Sequence, residues 1–159
     1  MSYLIGFLPW IAFAILSASN NPSRDQLILA AAVATVLAVL TTIPAAKKHM
    51  IGSLEVGGLI FFPLMIILSI VAPPLTVDKW SSALMSIGLA IAVGVGILVG
   101  RPFTLMYAKA AVPEVLWSNP YFIASNKKLS TAWFGGFVVM SISSIISAFF
   151  TPSTMGAYL

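Results

Sequence analysis

The sequence predicts an all-α fold: a polytopic membrane helical bundle of five transmembrane helices, forming a single integral domain over residues 1–159. Three observations predict it. Hydrophobic residues make up 60% of the chain and charged residues 8%, against about 45–50% and about 25% in soluble domains. The apolar residues gather in blocks close to the ~20 residues that cross a hydrocarbon core. Short charged or proline-containing breaks separate the blocks, and mean hydropathy is +1.05. A water-soluble fold would have to bury five such blocks with almost no polar surface to cover them.

The first block spans about 4–18 and opens with Phe7-Leu8-Pro9-Trp10, placing Pro9 near a helix start, where its missing N–H costs little. Its shortness and the Ser17-Ala18-Ser19 triplet raise a signal peptide as the competing reading. No Lys or Arg precedes the block, so the basic leader region is missing and a retained helix is expected. Asn20-Asn21-Pro22-Ser23 forms a turn able to cap the second block, about 26–43, which ends at Pro44 and Lys47-Lys48-His49. The third block covers about 54–72 and stops at Pro73-Pro74. The fourth covers about 81–100 and stops at Arg101-Pro102, and the fifth covers about 129–150 and stops at Thr151-Pro152.

Loop charge orients these spans. One side carries Lys47, Lys48, Arg101, Lys109, Lys127 and Lys128, and the other carries Arg24 and Lys79. Lys and Arg accumulate on the cytoplasmic side, so the N-terminus is expected inside and the C-terminus outside. The net charge of +4 is thus a topology signal, and no nucleic-acid partner is implied.

The long connection 101–128 is not a plain polar loop. Phe103, Met106, Tyr107 and Ala110 recur at spacings of three and four, flanked by Arg101 and Lys109. This pattern predicts a short cytoplasmic amphipathic helix lying in the interface, with Trp117 and Tyr121 as interfacial aromatics and a turn at Asn119-Pro120. An internal echo accompanies it. Lys47-Lys48 is followed by Gly57-Gly58, an apolar run and Pro73; Lys127-Lys128 is followed by Gly135-Gly136, an apolar run and Pro152. The spacing is compatible with two parallel hairpin repeats, as in some transporters, and also with chance in apolar sequence.

Candidate functional residues are few. Gly88, Ala92, Gly96 and Gly100 form a small-residue face, as do Ala30, Ala34 and Ala38. Such faces serve packing within the bundle or contact between copies in a homo-oligomer. Glu55 is a possible intramembrane polar site, because burying a carboxylate is costly; the alternative is snorkelling to water or pairing with Lys47 or Lys48. The basic set Lys47, Lys48, Arg101, Lys109, Lys127 and Lys128, with Tyr107 and Trp117, is a candidate surface for lipids or protein partners, where each cation near anionic headgroups contributes about 1 kcal/mol. The same charges could serve topology alone.

Chemistry finds little support. The chain has no cysteine and a single histidine, His49, so no metal centre of ordinary ligand count is expected. Asp25 and Asp78 fall on the opposite side from Glu55 and Glu114, no serine or threonine has a base, and Gly94 with Gly96 belongs to an apolar helix rather than a nucleotide fingerprint. No catalytic residue and no cofactor are expected.

The order of features resembles the intracellular septation protein A (YciB-like) superfamily of bacterial inner-membrane proteins. The residues carrying the resemblance are Phe7-Leu8-Pro9, the basic loop after span two, Asp78-Lys79-Trp80, Arg101-Pro102, Pro113, Trp117, Asn126 and Trp133. It covers roughly residues 5–150, in short motifs. Family members carry a further span, whereas this chain ends at Leu159, and the Arg101–Lys109 segment looks like a divergent branch. The resemblance implies a non-enzymatic inner-membrane protein of envelope maintenance or division, acting through membrane-protein and lipid contacts. A small oligomeric transporter or channel for an ion, lipid or small solute is the alternative, and a membrane enzyme ranks third.

Overall fold

A computed structural model describes residues 5–18, 22–47, 50–72 and 74–150, without the side chains of 74–76 and 78. Lys48, His49, Pro73, Asn20-Asn21 and Thr151-Pro152 therefore lie outside the described residues, as does the Asp78 side chain. The described chain is all helix and turn: a 3-10 turn Ile5–Phe7, α1 Leu8–Leu16, α2 Arg24–Lys47, α3 Ser53–Val71, α4 Pro74–Leu98, α5 Phe103–Lys109, a 3-10 turn Glu114–Leu116 and α6 Pro120–Phe150.

Four helices are long and apolar enough to cross a membrane: Arg24–Lys47, Ser53–Val71, Lys79–Leu98 within α4, and Pro120–Phe150. Fewer than half the residues in each apolar window are buried, so apolar side chains such as Ile60, Ile91, Ile142 and Phe149 form an exposed perimeter. That perimeter fits a hydrocarbon solvent. The α1 segment is shorter, Ile5–Leu16, and at about 1.5 Å per residue it covers roughly half of a ~30 Å core. It nonetheless lies along the bundle. Its first turn packs beside Glu55 at the start of α3, and its last carbonyl, Leu16, accepts from Gln26 Nε2 at the start of α2 (2.8 Å).

Several helix ends differ from the sequence expectation, each for a local reason. Pro44 does not end α2, which continues to Lys47. Pro74 is the first residue of α4, where its fixed φ suits N1 and no donor is lost; the Pro73-Pro74 pair thus starts one helix as well as stopping another. Asn119-Pro120 is a helix start rather than a free turn: Asn119 Oδ1 accepts from the N–H groups of Tyr121 and Phe122 at 2.9 and 3.3 Å. Residues 120–128, assigned from sequence to the interfacial connection, are the first turns of α6. Ser23 caps α2 through Gln26 N–H (3.2 Å).

The helices pack in the order α1, α2, α3, α4, α6, with α5 set against α6. Ala30, Ala34 and Ala38 are fully buried in α2, so this small face packs within the chain. A rigid aromatic cluster ties α1 to α3: Trp10 stacks on Phe61 (centroids 5.1 Å) and also meets Phe62 (4.9 Å), while Phe13 touches both. The two glycine pairs of the internal echo sit in different environments. Gly57 and Gly58 pack against Ala92, Trp10 and Phe62, whereas Gly135 and Gly136 face open space.

Candidate functional site: a basic platform and an apolar groove

Helix directions bring the C-terminal end of α2, the N-terminal ends of α3 and α6, the C-terminal end of α4 and all of α5 to one end of the bundle. Lys47, Arg101, Lys127 and Lys128 are exposed there. The opposite end holds Arg24 and Lys79, and Arg24 is already committed. Its guanidinium donates to the carbonyls of Ser69, Ile70 (2.8 Å) and Ala72 (3.0 Å), capping the orphan carbonyls of α3 with a cation where the helix dipole favours one. Arg24 is thus engaged as a helix cap, whereas Lys47, Arg101, Lys127 and Lys128 stay exposed at the other end.

Glu55 anchors the basic end. It is 5% exposed and occupies the third position of α3, behind Gly52. Its Oε2 accepts from the Gly52 N–H (3.1 Å), the acidic half of a capping box. Its Oε1 accepts from the Tyr107 hydroxyl (2.8 Å). No lysine pairs with it among the described residues, so the expected partnership with Lys47 or snorkelling to water is replaced by a tyrosine from α5. Burial, then the Glu55 charge, then their hydrogen bond push the Tyr107 phenol above its usual range, which keeps it a donor. The first turn closes over this pair: a Cβ at Gly6 would sit 1.7 Å from the Tyr107 hydroxyl oxygen and 2.7 Å from Glu55 Oε1.

A seven-residue helix such as α5 has little stability alone, and contacts on two sides hold it. Phe103 packs edge-on against Phe7 of the first turn (5.4 Å). On the other side, Thr104 Oγ1 donates to the Asn126 carbonyl and lies 2.7 Å from the Ser130 hydroxyl, both on α6. The sequence stripe is thereby corrected. Phe103 and Leu105 are the buried residues, Ala110 is exposed, and α5 packs against α6 and the first turn of the chain. Tyr107 is occupied by Glu55. Trp117 is also occupied, donating to the Lys109 and Val112 carbonyls (3.0 and 3.3 Å) while the Lys109 ammonium lies 5.5 Å from its ring. Both aromatics brace the segment instead of reaching outward, a role no sequence spacing signals.

A groove of about 440 Å³ runs between α3 and α4. Val56, Ile60, Leu64, Ile91, Val95 and Val99 form its walls, with Arg101 at one end. Its floor is the small face predicted from sequence, which lets the two backbones approach. A Cβ at Gly57 would meet that of Ala92 at 2.6 Å, at Gly88 the Phe61 ring at 2.7 Å, and at Gly96 the Ser53 hydroxyl at 2.5 Å. Gly100 does not belong to that face. It follows the end of α4 with φ +73° and open space around it, and Arg101 N–H returns to the Gly96 carbonyl (2.8 Å). This is a Schellman-type cap, where a left-handed residue is needed.

Among the described residues no group of three or more His, Cys, Asp or Glu could hold a metal. No protein-family model, curated protein or solved structure matches the chain.

Proposed function

We propose that this chain is a non-enzymatic multi-pass protein of the bacterial inner membrane, crossing five times with its N-terminus cytoplasmic and C-terminus external. It would serve envelope maintenance or division by presenting a rigid basic platform to anionic lipids and membrane-protein partners. The Tyr107–Glu55 hydrogen bond carries this reading. It fixes α5 to the buried start of α3, so Arg101 and Lys109 at the two ends of α5 are held on the same end of the bundle as the exposed Lys127 and Lys128 of α6. It also occupies the carboxylate, which favours a platform over a conduction pathway at Glu55. The fifth crossing rests on α1, whose two ends contact opposite ends of the bundle, and the bacterial setting rests on the resemblance to septation protein A.

Spin-labelled lipids test the platform. Reconstituted protein should immobilise phosphatidylglycerol in preference to phosphatidylcholine. Replacing Lys47, Lys109, Lys127 and Lys128 together by Gln should abolish most of that preference, given about 1 kcal/mol per cation near the surface. Unchanged selectivity would sink the proposal.

A further inference from the structure

The α3–α4 groove has a length, a charge and a polarity gradient that together specify one kind of occupant. From Ser53 to Leu64 it extends roughly 16 Å along α3 at about 1.5 Å per residue. That is about half of a ~30 Å hydrocarbon core, the depth of one leaflet. A transmembrane helix from a second copy lying along the groove would meet it over only about half of its length, because the groove stops at Leu64 and Gly88. Its walls are open aliphatic side chains: Ile60 and Ile91 are among the most exposed residues of their helices. Polar groups gather only at the platform end. The Arg101 side chain is exposed and has no partner among the described residues. The Ser53 hydroxyl, buried beside Gly96, has no hydrogen-bond partner either. An apolar channel one leaflet deep, ending at a free guanidinium, matches an acyl chain joined to a phosphate headgroup.

We infer that the groove between α3 and α4 is a binding site for a single anionic glycerophospholipid of the platform-side leaflet, with an acyl chain between Val56, Ile60, Val95 and Val99 and its phosphate on Arg101. The inference deepens the platform reading and rests on its orientation, but it concerns one stoichiometric lipid rather than a diffuse preference. Charge-assisted pairing of Arg with phosphate gives both strength and geometry. The glycines beneath it set the close approach of α3 and α4 that forms the floor, because a Cβ at Gly57, Gly88 or Gly96 would strike Ala92, Phe61 or Ser53 on the facing helix.

Native mass spectrometry of protein released from phosphatidylglycerol-containing membranes reads this directly. The unmodified chain should retain one phosphatidylglycerol and no comparable phosphatidylcholine. Arg101→Gln should lower retention roughly fivefold. Ile60→Trp, which fills the groove from an exposed wall, should remove the bound lipid, while Ile142→Trp on the outer face of α6 should not. Val95→Trp fills the groove from the opposite wall and serves if Ile60→Trp loses its helical circular dichroism. Wild-type retention in Arg101→Gln and in the folded groove-filling variant would overturn the site, as would a lipid-free dimer that Ile60→Trp disrupts. If the four-lysine variant loses its spin-label selectivity while these variants keep their lipid, the platform stands and the groove falls. The reverse pattern leaves the groove and removes the platform.

Discussion

Gly6, Glu55 and Tyr107 show how much of this molecule turns on a few atoms. Tyr107→Phe removes one of the two donors to a buried carboxylate, and an under-satisfied buried acceptor costs about 1–3 kcal/mol. The Phe variant should unfold at correspondingly lower denaturant in a micellar titration. Gly6→Ala should be at least as damaging, because its new methyl would collide with the Tyr107 hydroxyl. The two changes should not add. Phe at 107 deletes the nearest colliding atom, so Gly6→Ala should cost less in the Tyr107→Phe background than alone. Full additivity in that double-mutant cycle would mean the three residues do not form one unit.

At the scale of elements, contacts made by residues distant in sequence hold the ends of the bundle in place. Arg24 closes α3 from the start of α2, and hydrogen bonds to a charged group contribute about 1.5–3 kcal/mol. Arg24→Ala should destabilise by about that amount and speed amide exchange over the last turn of α3. Lys79→Ala at the same end is the control and should leave that exchange unchanged. On the platform side, Ser130 is fully buried against Thr104. Ser130→Ala should release α5, raising exchange across 103–109 while α6 stays protected. Hydrogen bonds between membrane helices average about 0.6 kcal/mol, so this effect should be local rather than global. Unchanged exchange across 103–109 would show that the Ser130 hydroxyl does not hold α5.

For the whole molecule, topology is the outstanding variable, and the absence of cysteine makes it directly measurable. Single cysteines at Lys127 and Lys79 should react with an impermeant maleimide from opposite sides of a sealed vesicle, Lys127→Cys from the cytoplasmic side. Five crossings also place the two termini on opposite sides. Terminal cysteines labelled from the same side would restrict crossing to the four long helices and leave α1 as a helix packed inside the bundle.

Local composition carries what is a sum over chain neighbours: helices, four apolar segments long enough to cross a membrane, and Lys and Arg clustered near alternate segment ends. Hydropathy and charge count are sums over neighbours along the chain, so they are legible without a fold. Pro74 and Asn119-Pro120 read in sequence as a stop and a turn, and the fold uses both as helix starts, since the same residues punctuate either end. The fold alone brings Glu55 to Tyr107, 52 residues away in sequence, with no lysine pairing it among the described residues. It also decided that Trp117 braces a loop, that Gly100 is a cap, and that Gly88, Ala92 and Gly96 floor a groove ending at Arg101. Those are facts of distance between segments, and no periodicity within one helix records which face of another it will meet.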